Sequence, residues 1–146
     1  MKKHLFRLTL KVLHLLQPEQ AHNLAIRFLK LRIFSTKIIS SHKKLKVQFC
    51  NINLPNPIGL AAGFDKNAEV LPGLFSLGFG FIEVGAVTPH PQKGNKKPRI
   101  FRLREDQAII NRLGFNNLGM HQVIHKLSAY KGDGKIGLNV GVNRTS

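Results

Sequence analysis

Apolar residues fall at Leu5, Leu8, Val12, Leu15 and Leu16, three to four positions apart, which is the spacing of one helical face. Pro18 suits the first turn of a second helix, where a missing N–H goes unnoticed. Glu19 follows it, favourable beside the positive end of the helix dipole, and Ala21, Leu24, Ala25, Phe28 and Leu29 form an apolar face. The helical region is expected to end near Ser40 or Ser41. After about Leu45 the period changes to alternation through Val47, Phe49, Ile52 and Leu54, with Asn51 available for a tight turn, and a small β-hairpin is expected there.

Beyond the hairpin, nearly continuous apolar strands alternate with helical stretches. The pattern predicts strands at 57–62, 81–87 and 136–140, with helices at 68–77 and 120–130. Such alternation indicates parallel βαβ units buried on both faces, so the fold class is α/β. A long segment, 88–117, follows the second strand and is itself strand-like at 99–103 and 108–110. Long loops at the C-terminal ends of strands are where such folds build sites. Two regions result: residues 1–44, amphipathic and helical, and residues 45–146, carrying the hairpin and the first β/α units.

Charge sharpens this picture. The 146 residues hold 23 Lys and Arg against 7 Asp and Glu, a formal net charge of +16, so the chain is expected to be drawn to polyanions. Nucleic acid is not expected as a partner: there is one tyrosine and no tryptophan, and the ten phenylalanines sit mostly in apolar runs rather than among cations. Lys2, Lys3, Arg7, Lys11, Arg27, Lys30, Arg32, Lys37, Lys43, Lys44 and Lys46 flank the helical stripes, as suits an anionic membrane surface. A solvated helical cap packed inward on a larger domain explains the same pattern. Lys11 and His14 interrupt the first apolar run, so no secretory signal is expected, and no stretch is long enough to be expected to span a bilayer. Cys50 stands alone and is expected to be a small buried residue.

The run Gly59-Leu60-Ala61-Ala62-Gly63-Phe64-Asp65-Lys66-Asn67 puts two glycines and a charged pair at the end of a buried strand. Glycines there let backbone approach a flat ring, and Lys66 then stabilises negative charge, or else is a surface lysine beside Asp65. Asn111-Arg112-Leu113-Gly114-Phe115-Asn116-Asn117 brings three side-chain amides together, which suits either a planar heterocycle or turn chemistry. Asn139, between Leu138 and Val140, is expected to be a buried amide in search of partners. No glycine-rich dinucleotide fingerprint or phosphate loop occurs, and His121 with His125 makes at best a poor metal site, so no metal is expected.

Several motifs in sequence order resemble the quinone-dependent, membrane-associated branch of the dihydroorotate dehydrogenases. They are Gln17-Pro18-Glu19-Gln20-Ala21-His22, residues 56–66, Gly78-Phe79-Gly80-Phe81-Ile82-Glu83-Val84-Gly85, Thr88-Pro89, Lys97-Pro98-Arg99-Ile100-Phe101-Arg102, residues 111–119 and Gly137-Leu138-Asn139-Val140-Gly141. The resemblance implies a (β/α)8 TIM barrel, incomplete in this chain, preceded by a small two-helix membrane-associating domain. It implies FMN held by Ala62, Gly63, Phe64, Asp65, Lys66, Ala86 and Asn139. It implies dihydroorotate or orotate held by Lys66, Asn111, Arg112, Leu113, Gly114 and Phe115, and a membrane quinone near His22 and Arg102.

The implied reaction is the oxidation of dihydroorotate to orotate in pyrimidine biosynthesis, by a peripheral protein on the cytoplasmic face of the cell membrane. The family's catalytic base is a serine in a later motif, expected beyond Ser146, so no catalytic residue is assigned here. A barrel of this kind needs roughly 250 residues, so the chain alone is expected to be inactive and either poorly soluble or partly unfolded. The alternative is a remnant that only associates with membranes. Two departures stand out: Ala86 where relatives often carry a small hydroxyl residue, and Val142 where lysine is usual.

Overall fold

The computed structural model describes residues 2–31 and 43–145, the side chains of residues 2–6 and 9 excepted. Arg32, Lys37 and the expected helix end at Ser40 or Ser41 lie outside the described residues. The two expected helices are α1, Lys2–Leu15, and α2, Pro18–Lys30, the latter with Pro18 and Glu19 in its first turn. Leu8, Val12 and Leu15 of α1 remain exposed, while Ala21 and Leu29 of α2 are buried.

A short 3-10 turn, Lys43–Leu45, leads into the hairpin of β1, Val47–Phe49, and β2, Ile52–Leu54, which pair antiparallel. Its two turn residues, Cys50 and Asn51, have φ of 45° and 62°. A two-residue turn with both centres left-handed matches the twist of the paired strands. This overturns the expectation for Cys50, which is exposed at the turn rather than buried.

A parallel sheet follows in the order β3-β4-β7, built from β3, Gly59–Leu60, β4, Phe81–Val87, and β7, Lys135–Val140. The strand expected at 57–62 is paired only at its centre, because the chain leaves the sheet at Ala61 to form the loop toward Lys66. The helix expected at 68–77 is α3, Leu71–Ser76. Asp65 explains the late start: its carboxylate accepts from the N–H of Glu69 at 2.7 Å and of Val70 at 2.9 Å, holding a turn just before the helix. The long segment after β4 contains the antiparallel ribbon of β5, Ile100–Leu103, and β6, Ala108–Asn111, and α4, Met120–Ala129, returns the chain to β7.

The core lies on one face of the sheet. Ile82 and Val84 of β4 pack with Leu71 and Leu74 of α3, Val123 of α4 and Leu29 of α2. Each of these side chains that is fully buried, which Leu29 is not, stabilises the fold by about 1.5–3 kcal/mol. Alternation along β4 turns Phe81 and Glu83 to the opposite face. Leu138 and Val140 of β7 are 46% and 72% exposed, since β7 is the sheet's edge. Asn139 is likewise exposed, contrary to the expectation of a buried amide, because no described element covers that face of the edge strand. The architecture is mixed α/β, and the described strands form an open sheet rather than a closed barrel.

Candidate functional site at the strand ends

The C-terminal ends of β3, β4 and β7 lie side by side, and small residues make them a nearly bare floor. The Gly63 N–H donates to the Gly85 carbonyl at 2.8 Å, joining the loop after β3 to β4. Gly85 has φ of 121°, and a Cβ there would stand 2.4 Å from the carbonyl oxygen of Asn139, so only glycine lets β4 and β7 approach this closely. Gly63, with φ of 107°, has open space where a Cβ would point. Ala86 and Asn139 sit on the same strand ends, and the Asn139 amide donates to the Glu83 carboxylate at 3.1 Å.

Lys66 borders this floor, half-buried, its ammonium donating to the Gly63 carbonyl at 2.6 Å. Burial, and secondarily the charge of Arg99, lower its pKa below the ordinary lysine value, with Glu19 and Asp65 opposing. It also lines a cleft of about 100 Å³ together with Glu19, His22, Phe64, Leu113 and Asn116. His22 meets the Phe64 ring edge-on, centroids 5.1 Å apart. Burial and then the nearby Lys66 charge lower its pKa, so the ring tends toward the neutral form.

Behind the cleft, Glu19 is gripped by the buried guanidinium of Arg99. Nη2 lies 2.6 Å from Oε1, and Nε lies 3.2 Å from each carboxylate oxygen. Arg99 Nη1 also donates to the carbonyls of Lys93 and Asn95, and Lys97 stands 3.4 Å from Glu19. The Arg99 hydrogen bond holds the Glu19 carboxyl below its ordinary value against the opposing effect of burial.

Comparison with known proteins decides what this arrangement belongs to. Residues 44–146 match the family described as dihydroorotate dehydrogenase. The chain belongs to the dihydroorotate dehydrogenase family. It is 53% identical over 141 residues to a dihydroorotate dehydrogenase (quinone) of Chelativorans sp. (strain BNC1), covering 96% of this chain and 39% of the relative. It is 49% identical over 140 residues to that of Rhizobium etli (strain CIAT 652), with the same coverages of 96% and 39%. DHODH from Eimeria tenella in complex with ferulenol superposes with a TM-score of 0.82 at 39% identity, over 88% of this chain and 37% of that one. The chain thus spans about two fifths of the length of these curated relatives.

In this member of the dihydroorotate dehydrogenase family the amide-rich segment divides. Leu113 and Asn116 line the cleft with Lys66, and the Asn116 Oδ1 is buried without a partner among the described residues. Asn111 and Phe115 are exposed, Arg112 donates to the Pro98 carbonyl at 3.1 Å, and the Gly114 carbonyl accepts from Gln92 at 2.9 Å. Asn117 is structural: buried, it accepts from the N–H of Thr88 and Gly119 and donates to Thr88 Oγ1 and the Phe115 carbonyl.

Asp65 commits its carboxylate to the loop before α3, which leaves its backbone for any ligand. Arg102 does not share the His22 cleft. It donates to the carbonyls of Leu13, His14 and Leu16 at the end of α1, and it lines a separate hollow of about 360 Å³ with Leu15, Pro18, Ile100 and Phe101. Sequence reasoning passed over the roles of Glu83, Asn116 and the Glu19–Arg99 pair. A lone carboxylate inside the apolar strand Phe81–Val87 was a usable signal for Glu83.

Proposed function

We propose that residues 1–146 supply part of the flavin, substrate and quinone sites of a dihydroorotate dehydrogenase (quinone). The reaction oxidises dihydroorotate to orotate and passes the electrons to a membrane quinone, in de novo pyrimidine (UMP) biosynthesis. The observation that carries this reading is Lys66, a half-buried cation beside a floor of glycine and alanine at parallel strand ends.

That floor fits FMN. The space over Gly63 is open, Gly85 brings the strands close enough to present flat peptide, and Ala62 and Ala86 add no bulk. In this reading Ala62, Gly63, Phe64, Asp65, Lys66, Ala86 and Asn139 hold the flavin, Asp65 through its backbone. Lys66 and the segment Asn111, Arg112, Leu113, Gly114 and Phe115 hold dihydroorotate or orotate. When bound, FMN supplies the two-electron acceptor. Lys66 meets the negative charge of substrate and cofactor in a site partly shielded from water, where a fixed cation acts more strongly than in solution. His22 and Phe64 close the cleft on the quinone side, and Arg102 borders the neighbouring hollow. The proton-abstracting serine lies outside residues 1–146.

Residues 45–146 form the hairpin and first β/α units of a (β/α)8 barrel, and residues 1–44 form a membrane-associating unit. Leu8, Val12 and Leu15 give α1 an exposed apolar stripe, with exposed Arg7 and Lys11 close by. This suits an anionic surface on the cytoplasmic face of the cell membrane. No helix among the described residues is long and apolar enough to cross a membrane. The deciding experiment is the visible absorption spectrum of the chain purified in mild detergent. Stoichiometric FMN upholds the flavin reading of these residues, and its absence both from this chain and from the chain co-expressed with the remaining part of a relative overturns it.

A further inference from the structure

On the sheet face away from the core, Glu83 of β4 and Asn139 of β7 meet across adjacent parallel strands. Glu83 pairs in register with Gly137, and a Cβ on that glycine would lie 3.6 Å from Glu83 Cγ, so the carboxylate passes beside a bare position to reach Asn139 two residues on. The Asn139 Nδ2 donates to Glu83 Oε1 at 3.1 Å. On the other side of Asn139 the backbone of Gly85 comes close, since a Cβ there would stand 2.4 Å from the Asn139 carbonyl oxygen.

We infer that Glu83 is a positioning residue which sets the orientation of the Asn139 amide, so that Asn139 offers an acceptor oxygen to a ring N–H of the bound flavin. The argument turns on the chemistry of the pair. An amide has one donor end and one acceptor end, whereas an ionised carboxylate can only accept. Glu83 therefore takes the NH2 end, and Oδ1 is the end left to face a ligand on the floor. A glutamine at 83 would pair with either end, and an apolar side chain with neither. The oxidised isoalloxazine ring carries a single ring N–H, at N3, so an acceptor is what that edge requires.

This inference rests on the flavin reading of the strand ends, and its test separates the two. Affinities for FMN and for FMN methylated at N3, which lacks the donor, are measured by quenching of flavin fluorescence. The measurement is made on the unchanged chain and on Glu83→Met, Glu83→Gln, Asn139→Ala and the double variant Glu83→Met/Asn139→Ala. Methionine matches the length of glutamate on a partly exposed face, so the fold is retained.

The unchanged chain is expected to prefer FMN. Glu83→Met is expected to reduce that preference roughly fivefold, the share of one hydrogen bond. Glu83→Gln, which can pair with either end of the amide, is expected to fall between the unchanged chain and Glu83→Met, and Glu83→Met is expected to add nothing once Asn139 is alanine. A preference unchanged in Glu83→Met, or lowered equally with and without Asn139, overturns the inference while leaving the flavin reading intact. No FMN binding by the unchanged chain, either alone or co-expressed with the remaining part of a relative, overturns the flavin reading, and this inference falls with it.

Discussion

Arg99 and Glu19 stand eighty positions apart in sequence, yet Arg99 Nη2 lies 2.6 Å from Glu19 Oε1. This pair fastens α2 to the segment leading into β5. The arginine side chain is 7% exposed and the glutamate 18%, so neither charge is well served by water if its partner leaves. Glu19→Ala is expected to destabilise the chain by about 2–4 kcal/mol, because it strands a buried guanidinium. The apolar double replacement Glu19→Leu/Arg99→Met is expected to recover much of that loss, since both desolvation penalties vanish together. Urea titrations of the three chains measure both effects.

The same pair sets an acid limit. The folded-state pKa of Glu19 is depressed below 4.5, chiefly by the Arg99 hydrogen bond. A depressed carboxyl contributes stability that is present above the unfolded value and lost as pH falls through the folded one. Stability is therefore expected to drop below about pH 4.5 in the unchanged chain, with a shallower drop in Glu19→Gln, in parallel urea series from pH 7 to 3.

Lys66 is expected to lose its proton at a lower pH than the exposed lysines, because burial and then Arg99 disfavour its charge while Glu19 opposes them. The midpoint is read from carbon-13 NMR of reductively methylated chain, with Lys66→Arg identifying the resonance. Removing the opposing charge in Glu19→Gln is expected to move the midpoint further down. A midpoint at or above that of the exposed lysines would contradict the half-buried placement.

Much of the fold was legible because apolar period reports burial directly. The hairpin, the βαβ alternation and the ribbon within residues 88–117 all follow from it. Polar residues were harder. In a chain of net charge +16, Arg99 reads as one more solvated cation, and nothing local ties it to Glu19. The glycine-rich run left Lys66 open between a site cation and a surface lysine beside Asp65, because its half-buried place and its bond to the Gly63 carbonyl depend on how the loop after β3 folds back. The Asn111–Asn117 amides were noticed as a group, but a one-dimensional pattern could not separate Asn117, whose hydrogen bonds are met internally, from Asn116, whose oxygen is left open. Asn139 was misjudged as buried because an apolar strand pattern does not distinguish a central strand from an edge.

Asn117 offers a sharp test of that division. Its Oδ1 accepts from Thr88 and Gly119, and its Nδ2 donates to Thr88 Oγ1 at 2.8 Å and to the Phe115 carbonyl at 2.7 Å. Asn117→Ala leaves buried donors and acceptors unmet and is expected to cost about 3 kcal/mol. Asn117→Asp keeps the acceptors but aims an anion at a carbonyl. It is expected to be comparably damaging at pH 7 and partly relieved when acid restores a donor. Thermal melts across pH distinguish the two.

Gly85 and Gly141 lie near the same strand ends, yet they should respond oppositely to alanine. At Gly85 a Cβ would sit 2.4 Å from the Asn139 carbonyl oxygen, with φ of 121° adding strain, so β4 and β7 must part at the floor of the candidate site. At Gly141 the nearest atom, the Ala86 Cβ, lies 4.0 Å away in ordinary contact. Gly85→Ala is expected to destabilise by about 3 kcal/mol and to abolish flavin retention, whereas Gly141→Ala is expected to stay within about 1 kcal/mol of the unchanged chain. Urea unfolding read beside the 450 nm absorbance of co-purified flavin measures both. Equal tolerance of the two alanines would mean that the strand ends are not packed as closely as the floor requires.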